Sequence, residues 1–207
     1  MKSLYEKYIL PHLIDMTCGY GHVMKHRSIL IPHAKGQVLE IGFGSGLNLQ
    51  FYDQQEVEKV WALEPSEGMR LKSKTLIENS PIDVEWLDLP GEKIPLEDNS
   101  VDTVVLTYTL CTIPDWKAAL EQMKRVLKPD GQLLFSEHGA SCDHKVRRWQ
   151  DRITPVWKPF AGGCHLNRPI AEMLREAGFN IIELDEAYVP KAPKPLGYNY
   201  RGVAELS

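Results

Sequence analysis

Residues 38–46 read Val38-Leu39-Glu40-Ile41-Gly42-Phe43-Gly44-Ser45-Gly46, and this stretch decides the fold. Its short run of branched apolar residues predicts a buried strand. The strand gives way to three glycines at alternate positions, where a backbone without Cβ atoms can turn tightly and approach a ligand. Residues 47–52 then predict the first turns of a helix. A strand, a glycine loop and a helix in this order indicate a nucleotide-type binding site at the carboxyl end of a parallel strand.

The spacing of the glycines separates two kinds of nucleotide site. The dinucleotide fingerprint is G-x-G-x-x-G, whereas this loop reads G-x-G-x-G and has Leu47 where the third glycine of the fingerprint falls. Glu40 lies inside the predicted strand, and a buried carboxylate is costly unless it is paired or hydrogen bonded. The pattern therefore disfavours a nicotinamide dinucleotide and indicates a site that needs an acid at position 40. An ordinary strand-to-helix turn is the alternative interpretation of the glycines alone.

Glu40, Gly42, Gly44 and Gly46 match the first motif of the class I S-adenosylmethionine-dependent methyltransferases, E/D-x-G-x-G-x-G, position for position. The runs D-N-S-V-D and L-K-P-D-G-Q-L further along the chain also resemble that family. The resemblance implies that the glycine loop carries the methionine end of S-adenosyl-L-methionine, that Glu40 helps to hold it, and that S-adenosyl-L-homocysteine is the product. It also implies an α/β fold, with a Rossmann-like, seven-stranded, mostly parallel sheet, helices on both faces and an antiparallel last strand.

Apolar runs bounded by turn residues predict strands at residues 38–41, 60–65, 84–87, 103–107, 132–138, 179–186 and 198–206, the last being an inserted antiparallel edge strand. Helices are predicted at 22–31, at 116–127 with Asp115 as N-cap, and at 168–178 with Asn167 as N-cap. We expect a single methyltransferase domain over 1–207, in which 1–33 form a helical lid, 34–207 the Rossmann-like core, and 139–167 a substrate-side insertion. The lid would bring Tyr5, Tyr8 and Tyr20 toward the substrate; plain packing helices are the alternative.

Composition indicates an ordinary globular domain. The 207 residues are 43% hydrophobic and 25% charged, and the net charge is −4. No clustered basic face marks a nucleic-acid partner, and no run of about 18 apolar residues marks a membrane span. The four cysteines show no C-x-x-C spacing, which favours free thiols in the cytoplasm.

The second predicted strand ends at Glu64, about 20 residues after Gly42, where an acid can accept hydrogen bonds from both ribose hydroxyls. A helix-capping or surface role is the alternative for Glu64. Pro65 and Met69 belong to a segment that resembles the family's D/E-x-S/N-x-x-M, which implies that Met69 packs near the adenine. A plain core methionine is the alternative.

The adenine end of the predicted cofactor site departs from the family pattern. Relatives often have an aspartate for the adenine amino group, and that position is Pro90 in this chain. Asp88 or Glu92 would then take the amino group, or the backbone amides of Gly91 and Glu92 would bind the ring alone. Thr107 ends the fourth predicted strand, and its loop is expected to face the methyl donor and acceptor.

Three residues are candidates for catalysis. His138 ends the fifth predicted strand beside the site and is the first candidate for a base or an orienting group. A histidine bonded to nearby backbone is the alternative. His165 and Tyr108 are the next candidates. Direct transfer from a sulfonium needs no covalent intermediate, so Cys111 and Cys164 are expected to pack rather than react.

Several later segments resemble one subgroup of the family, which includes the alkyl-thiol methyltransferases of animal endoplasmic reticulum and bacterial phospholipid- or quinone-type enzymes. They are L-C-T-I at 110–113, S-E-H-G at 136–139, the spacing of Trp149 and Trp157, and G-C-H-L-N-R at 163–168. This resemblance implies a small, largely apolar acceptor, most simply a thiol. A phospholipid amine, a quinone precursor and a non-enzymatic cofactor-binding module are the alternatives.

The segment from 139 to 167 interleaves aromatic and basic residues. Trp149, Trp157 and Phe160 are expected to wall an apolar pocket. The arginines, Arg147, Arg148 and Arg152 among them, could instead meet lipid phosphate at a membrane surface. The partner is therefore a small or lipid-like molecule; the oligomeric state is left open.

Metal binding is the remaining class of site. Cys18, His22 and His26 recur every four residues, and Cys142 lies close to His144. Structural zinc sites prefer tighter paired ligands, and Gly19 and Gly21 interrupt a helix there. No metal site is predicted.

Overall fold

The computed structural model describes residue 12, residues 18–19 and residues 21–207, and Tyr5, Tyr8 and Tyr20 lie outside these. The strands are β1 Gly36–Ile41, β2 Val57–Leu63, β3 Asp83–Leu87, β4 Val101–Thr107, β5 Leu127–His138, β6 Phe179–Tyr188 and β7 Tyr198–Leu206. The helices of the described residues are α1 Gly21–Leu30, α2 Glu67–Glu78, α3 Trp116–Val126, α4 His144–Trp157 and α5 Ile170–Glu176. Single 3-10 turns occupy Ile31–His33 and Leu49–Phe51.

The seven strands form one sheet in the order β3-β2-β1-β4-β5-β7-β6. The pairs among β1 to β5 are parallel, and β7 is antiparallel to both β5 and β6. This architecture confirms the predicted fold class. One detail is corrected: β7 is not the edge strand, because it lies between β5 and β6 and leaves β6 at the edge.

Strand β1 forms the centre of the core because both of its faces are covered. Leu39 and Ile41 pack in the cluster that includes α3 and α5, while Val38 packs on the opposite face. All three side chains are almost fully buried. A strand covered on both faces explains the continuous apolar run, which is typical of parallel sheets.

Helix α3 forms as predicted. The Asp115 carboxylate accepts a hydrogen bond from the Ala118 N–H at 3.1 Å, which caps the first turn. The apolar face of the helix, Ala119, Leu120, Met123 and Val126, is buried against the sheet.

The helix predicted after the glycine loop is wrong. Only a 3-10 turn forms at Leu49–Phe51, and the backbone is extended again at Tyr52. The Asp53 carboxylate accepts a hydrogen bond from the Gln55 N–H at 2.9 Å, and the Asp53 carbonyl accepts one from Val57 at 2.9 Å. This side-chain turn sends the chain directly into β2, and it leaves no room for a longer helix.

The predicted cap of the last helix is also wrong. Helix α5 begins at Ile170, after Pro169, without a side-chain cap. The Asn167 amide instead donates to Asp151 at 2.8 Å. The other end agrees with the prediction, because Gly178 follows the helix with φ +87°, a conformation that favours glycine.

The predictions for the segments that flank the sheet are confirmed only in part. The predicted helix at 22–31 is confirmed as α1, whereas the lid role of 1–33 stays a prediction. The segment predicted to be a substrate-side insertion, 139–167, contains α4, on which Trp149 is exposed, and Phe160, just beyond the helix end, is exposed too. The exposure of these two residues contradicts the prediction that they wall an apolar pocket. None of the helices that the structure describes is long and apolar enough to cross a membrane.

Gly202 in β7 lies where strands β6 and β7 approach each other closely, and a substitution there tests this approach. A Cβ at this position would collide with the Glu183 carbonyl oxygen of β6 and approach Phe135 Cζ at 2.8 Å. Gly202→Ala should therefore lower the free energy of unfolding by about 1–3 kcal/mol, as overpacking of a core does, measured by urea denaturation. Gly21→Ala is the matched control, because nothing lies within 4 Å of its added Cβ. Equal stability of the two variants would contradict the close β6–β7 approach.

Candidate active site

The carboxyl ends of β1, β2, β4 and β5 meet at one edge of the sheet, where an open α/β sheet binds its ligands. The glycine loop follows β1, Glu64 follows β2, the 108–113 loop follows β4, and Glu137 and His138 end β5. The segments predicted to bind cofactor and acceptor therefore lie on the same side of the molecule.

The glycine loop is a backbone cradle. Gly42, Gly44 and Gly46 all have positive φ, at +71°, +61° and +83°. A Cβ on Gly42 would collide with the Thr109 side chain, so the loop after β4 packs directly on it. Gly44 has a more open side, because the atom nearest to a Cβ added to it would be Met69 Cε, at 3.6 Å. The buried Met69 thus lies beside the loop, and its packing near the adenine stays a prediction.

Glu64 links the ends of β1 and β2. Its Oε2 accepts a hydrogen bond from the Gly44 N–H at 3.0 Å, and its Oε1 accepts one from Ser66 at 2.7 Å. The carboxylate is buried and held beside the loop, while Pro65 is exposed. This is the position that a ribose-binding acid requires, and the ribose role stays a prediction.

Glu40 is the buried centre of a polar network beneath the glycine loop. Its carboxylate accepts hydrogen bonds from the Tyr52 hydroxyl at 2.6 Å and the Asn48 amide at 2.9 Å. Burial raises the pKa of Glu40 to about 7, and these bonds and the charge of Arg27 oppose the rise. Arg27 donates to Asn48 at 2.6 Å and to Thr107 at 2.8 Å. The network joins β1, β4 and α1.

Thr107 contributes to this network from the end of β4. Its hydroxyl oxygen accepts hydrogen bonds from both Arg27 and Asn48, and its side chain is buried. Thr107 therefore has hydrogen-bond partners within the protein, and its contact with the cofactor stays a prediction.

The residues predicted for the adenine lie in the loop after β3. Asp88 forms an ion pair with Arg70, whose guanidinium also donates to the Glu64 carbonyl at 2.7 Å. Gly91 is buried, and a Cβ added to it would lie 3.4 Å from Ile113 Cδ1. Glu92 accepts a hydrogen bond from the Asp115 N–H at 3.4 Å. Asp88 is thus engaged in an ion pair, and Glu92 is the less constrained of the two acids.

The 108–113 loop is held from two sides by buried charged groups. Glu137 Oε1 accepts hydrogen bonds from the backbone N–H groups of Thr109 at 2.6 Å and Leu110 at 2.9 Å. Arg168 donates to the carbonyls of Leu110 and Ile113. Burial raises the pKa of Glu137 to about 7 against these bonds. Donors and acceptors on both sides therefore fix the backbone of this loop.

Tyr108 starts that loop with a positive φ of 54°, which is unusual for a bulky residue. Its hydroxyl donates to Asn199 Oδ1 at 2.9 Å and lies 3.5 Å from His26 Nδ1. Arg27 lies over its ring at 5.6 Å. Burial raises the pKa of Tyr108 to about 12, so the phenol is neutral near pH 7. The side chain ties α1 to β7.

His138 points at two sulfur atoms. Its Nε2 lies 3.0 Å from Cys164 Sγ, and these atoms and Cys111 Sγ all lie within 4.8 Å of one another. A hydrogen bond from Cys111, followed by contacts with His138, lowers the pKa of Cys164 to about 4 despite burial. Burial alone would lower the pKa of His138, but Cys164 raises it. His138 Nε2 is thus in contact with Cys164, and its role as a base or an orienting group stays a prediction.

His165 lies on the other side of the same cluster. Its backbone N–H donates to the Cys111 carbonyl at 2.9 Å, and its Nδ1 lies 3.1 Å from that oxygen. Burial and the charge of Arg168 lower the pKa of His165. The structure thus brings His138 and His165 together around Cys111 and Cys164, while Tyr108 lies toward α1.

Cys111 and Cys164 were predicted to pack, and both are buried with Leu166 in an apolar cluster. Their sulfur atoms also contact His138, which the sequence did not indicate. Cys18, His22 and His26 do not form a metal-type group among the described residues; the one such group found there is Cys111, His138 and Cys164.

Comparisons with known proteins agree with this geometry. Residues 39–135 match the family described as Methyltransferase domain. The chain is similar to Thiol S-methyltransferase TMT1B from Homo sapiens, at 34% identity over 177 residues that cover 83% of this chain and 72% of that protein. Its counterpart from Rattus norvegicus is 33% identical over 81% of this chain and 69% of its own length.

The chain belongs to the class I S-adenosylmethionine-dependent methyltransferases. A solved SAM-dependent methyltransferase from Leishmania major shares the fold, with a TM-score of 0.69 and 17% identity over 97% of this chain and 80% of that one. S-Adenosyl-L-methionine is therefore the cofactor. The residues present fit it, because a methyltransferase needs an open glycine cradle and an acid at the end of β2, and Gly44 and Glu64 supply them.

Several residues that build this methyltransferase site were missed in the sequence. Arg27, Asn48 and Arg168 are all buried and charged or polar. Asn48 was detectable, because a polar residue close after the glycine loop can reach Glu40. Arg168 lies in the G-C-H-L-N-R run, but its carbonyl partners are more than fifty residues away in sequence.

Glu64→Ala tests the ribose assignment. Loss of a charged hydrogen-bond acceptor should weaken affinity for S-adenosylhomocysteine by about 2 kcal/mol or more, which is roughly 30-fold, measured by calorimetry. Glu56→Ala is the control, because Glu56 is exposed and precedes β2, whereas Glu64 follows it. Unchanged affinity in Glu64→Ala, with the fold intact by circular dichroism, would refute the ribose role.

Gly44→Val tests the cradle. A β-branched residue is strained at φ +61°, and its side chain would occupy the open side of the loop near Met69. We expect binding of S-adenosylhomocysteine to be lost in the same calorimetric assay. Wild-type affinity in this variant would mean that the cofactor binds elsewhere.

Proposed function

We propose that this methyltransferase transfers the methyl group to the sulfur of a small, largely apolar thiol. The observation that carries the proposal is the apolar cluster of Cys111, Cys164 and Leu166, which is joined to the cofactor loop through the Thr109–Gly42 contact. A dry, sulfur-lined site suits a thiolate, which gives up less hydration than an alkoxide. The named thiol S-methyltransferases to which the chain is similar support the same acceptor class.

The chemistry asks the chain mainly to position two molecules and exclude water. The cofactor supplies an electrophilic methyl group on a sulfonium sulfur. A thiol has a pKa of about 8.5, and only its thiolate is a good nucleophile. The chain supplies a loop fixed by Glu137 and Arg168, on which the acceptor is aligned. His138 orients the cluster through Cys164, His165 holds the loop at Cys111, and Tyr108 holds its start.

N-Methylation of a phospholipid amine is the second candidate, favoured by the exposed face of α4. Trp149 is 57% exposed there, and Phe160, just beyond the helix end, is 67% exposed. Arg148 and Arg152 are exposed beside them, and Arg152 lies 5.8 Å from the centre of the Trp149 ring. Aromatic and basic side chains together fit the headgroup region of an anionic membrane. We accordingly propose a cytoplasmic enzyme that makes peripheral membrane contact through this face, whichever acceptor it uses.

A methylation screen with labelled cofactor tests the acceptor. We expect turnover of alkyl or aryl thiols, with a rate that rises with pH up to the thiol's effective pKa. Turnover should be nearly indifferent to anionic vesicles. Turnover of phosphatidylethanolamine vesicles that is lost in high salt, with no turnover of any thiol, would overturn the thiol proposal in favour of the lipid.

Vesicle flotation of the same protein tests the membrane face. The double variant Trp149→Ser with Phe160→Ser should lose binding to anionic vesicles while keeping thiol turnover. Ile182→Ser with Leu184→Ser is the matched control, because these side chains are exposed on the edge strand β6. Equal flotation of both double variants would contradict the proposed contact.

A further inference from the structure

Cys111, His138 and Cys164 come from three separate parts of the chain and converge at the acceptor side of the sheet. Cys111 lies in the loop after β4, His138 ends β5, and Cys164 lies between α4 and α5. Their sulfur and nitrogen atoms all lie within 4.8 Å of one another. Both cysteines are buried, and both are free.

The donor set and its spacing suit a zinc ion. Zinc binds cysteine sulfur at about 2.3 Å and histidine nitrogen at about 2.0–2.1 Å in tetrahedral geometry. Ligand atoms on a common zinc ion are therefore about 3.5–3.8 Å apart. The His138 to Cys164 distance of 3.0 Å and the 4.8 Å limit of the group bracket those separations.

The surroundings resemble the second layer of a metal site. The Trp157 indole N–H lies 3.4 Å from Cys164 Sγ and donates toward it. The Cys111 backbone is fixed by the His165 N–H at 2.9 Å. Such outer contacts orient metal ligands in known sites. Leu166 and the neighbouring apolar residues of the cluster keep the group dry.

The group has three protein ligands, and no fourth His, Cys, Asp or Glu joins it among residues 18–19 and 21–207. Structural zinc sites are closed by four protein ligands, whereas catalytic sites use three and keep one position for water or substrate. We propose that Cys111, His138 and Cys164 bind a zinc ion, and that its remaining position takes the sulfur of the acceptor thiol. The second half of this proposal rests on the proposed thiol function.

Methyl transfer at this site would begin with deprotonation of the thiol. The thiol loses its proton to solvent when its sulfur joins the zinc ion as a thiolate. A sulfur lone pair then forms the bond to the methyl carbon. The bond between that carbon and the sulfonium sulfur breaks, and its electron pair stays on the departing sulfur as a neutral thioether. No oxidant or reductant is needed. The methylated product is a weaker ligand than a thiolate and can leave.

Metal content and cobalt spectroscopy test the site without an activity assay. We expect about one zinc ion per chain in protein purified without chelators. Replacement of the zinc with Co²⁺ should give thiolate-to-cobalt charge-transfer bands and the intense visible bands of a tetrahedral ion. Cys111→Ser and Cys164→Ser should each lose these thiolate bands in part, and the double variant should lose them entirely. Absence of the bands in the wild-type protein would overturn the metal site.

Two controls separate loss of metal from loss of fold. Cys142→Ser removes an exposed cysteine outside the group and should keep full metal content. Wild-type affinity for S-adenosylhomocysteine in Cys111→Ser and Cys164→Ser would establish that both variants are folded. If either variant fails to fold, His138→Ala read by the same cobalt spectrum decides the question. An unchanged spectrum in a folded His138→Ala variant would exclude His138 as a ligand.

Adding a small alkyl thiol to the cobalt protein tests the open position. A new charge-transfer band that grows with thiol concentration and saturates would support coordination of the acceptor. A spectrum unmoved by thiols that the enzyme methylates would overturn the second half of the proposal. Failure of the proposed function has a different signature, which is a normal cobalt spectrum in an enzyme that methylates no thiol. A disulfide between Cys111 and Cys164 in the protein purified under reducing conditions would overturn both halves.

Discussion

The burial of the Glu40 carboxylate is the constraint on which the cofactor side depends. Only 1% of the residue is exposed, and a carboxylate in such a place must be hydrogen bonded or become neutral. Tyr52 and Asn48 meet that requirement, and both belong to the segment that follows the glycine loop. Satisfying one acid therefore folds that segment back under the loop. Arg27 extends the same network into α1 and joins the N-terminal part of the described chain to the sheet.

The features that the sequence predicted best are local. The glycine loop, the acid that follows β2 and the apolar face of α3 each lie within a few consecutive residues, so periodicity and turn chemistry reveal them. The prediction of a helix after Gly46 was wrong because Asp53 forms a side-chain turn shortly after the glycine loop. Arg168 and the group of Cys111, His138 and Cys164 were missed for another reason. Their partners are far apart in sequence, and only the strand order brings them together.

The shared sheet and the residues around Cys111 come from different parts of the chain. The sheet is shared with a methyltransferase of 17% identity, and this likeness of fold says nothing about the acceptor. The segment between β5 and α5 supplies Trp157, Cys164 and His165, which surround Cys111. Differences in acceptor among proteins of this fold are expected to reside in such inserted segments, because loops tolerate change while a sheet buried on both faces does not.

Gly42 and Thr109 are in direct contact, and this contact joins the loop expected to hold the donor to the loop expected to face the acceptor. There is no space for even one carbon atom between them. A shift of Thr109 on acceptor binding would therefore displace Gly42, and the binding of the two substrates would be linked. Linkage is reciprocal, so the factor by which one ligand changes the affinity of the other is the same in both directions.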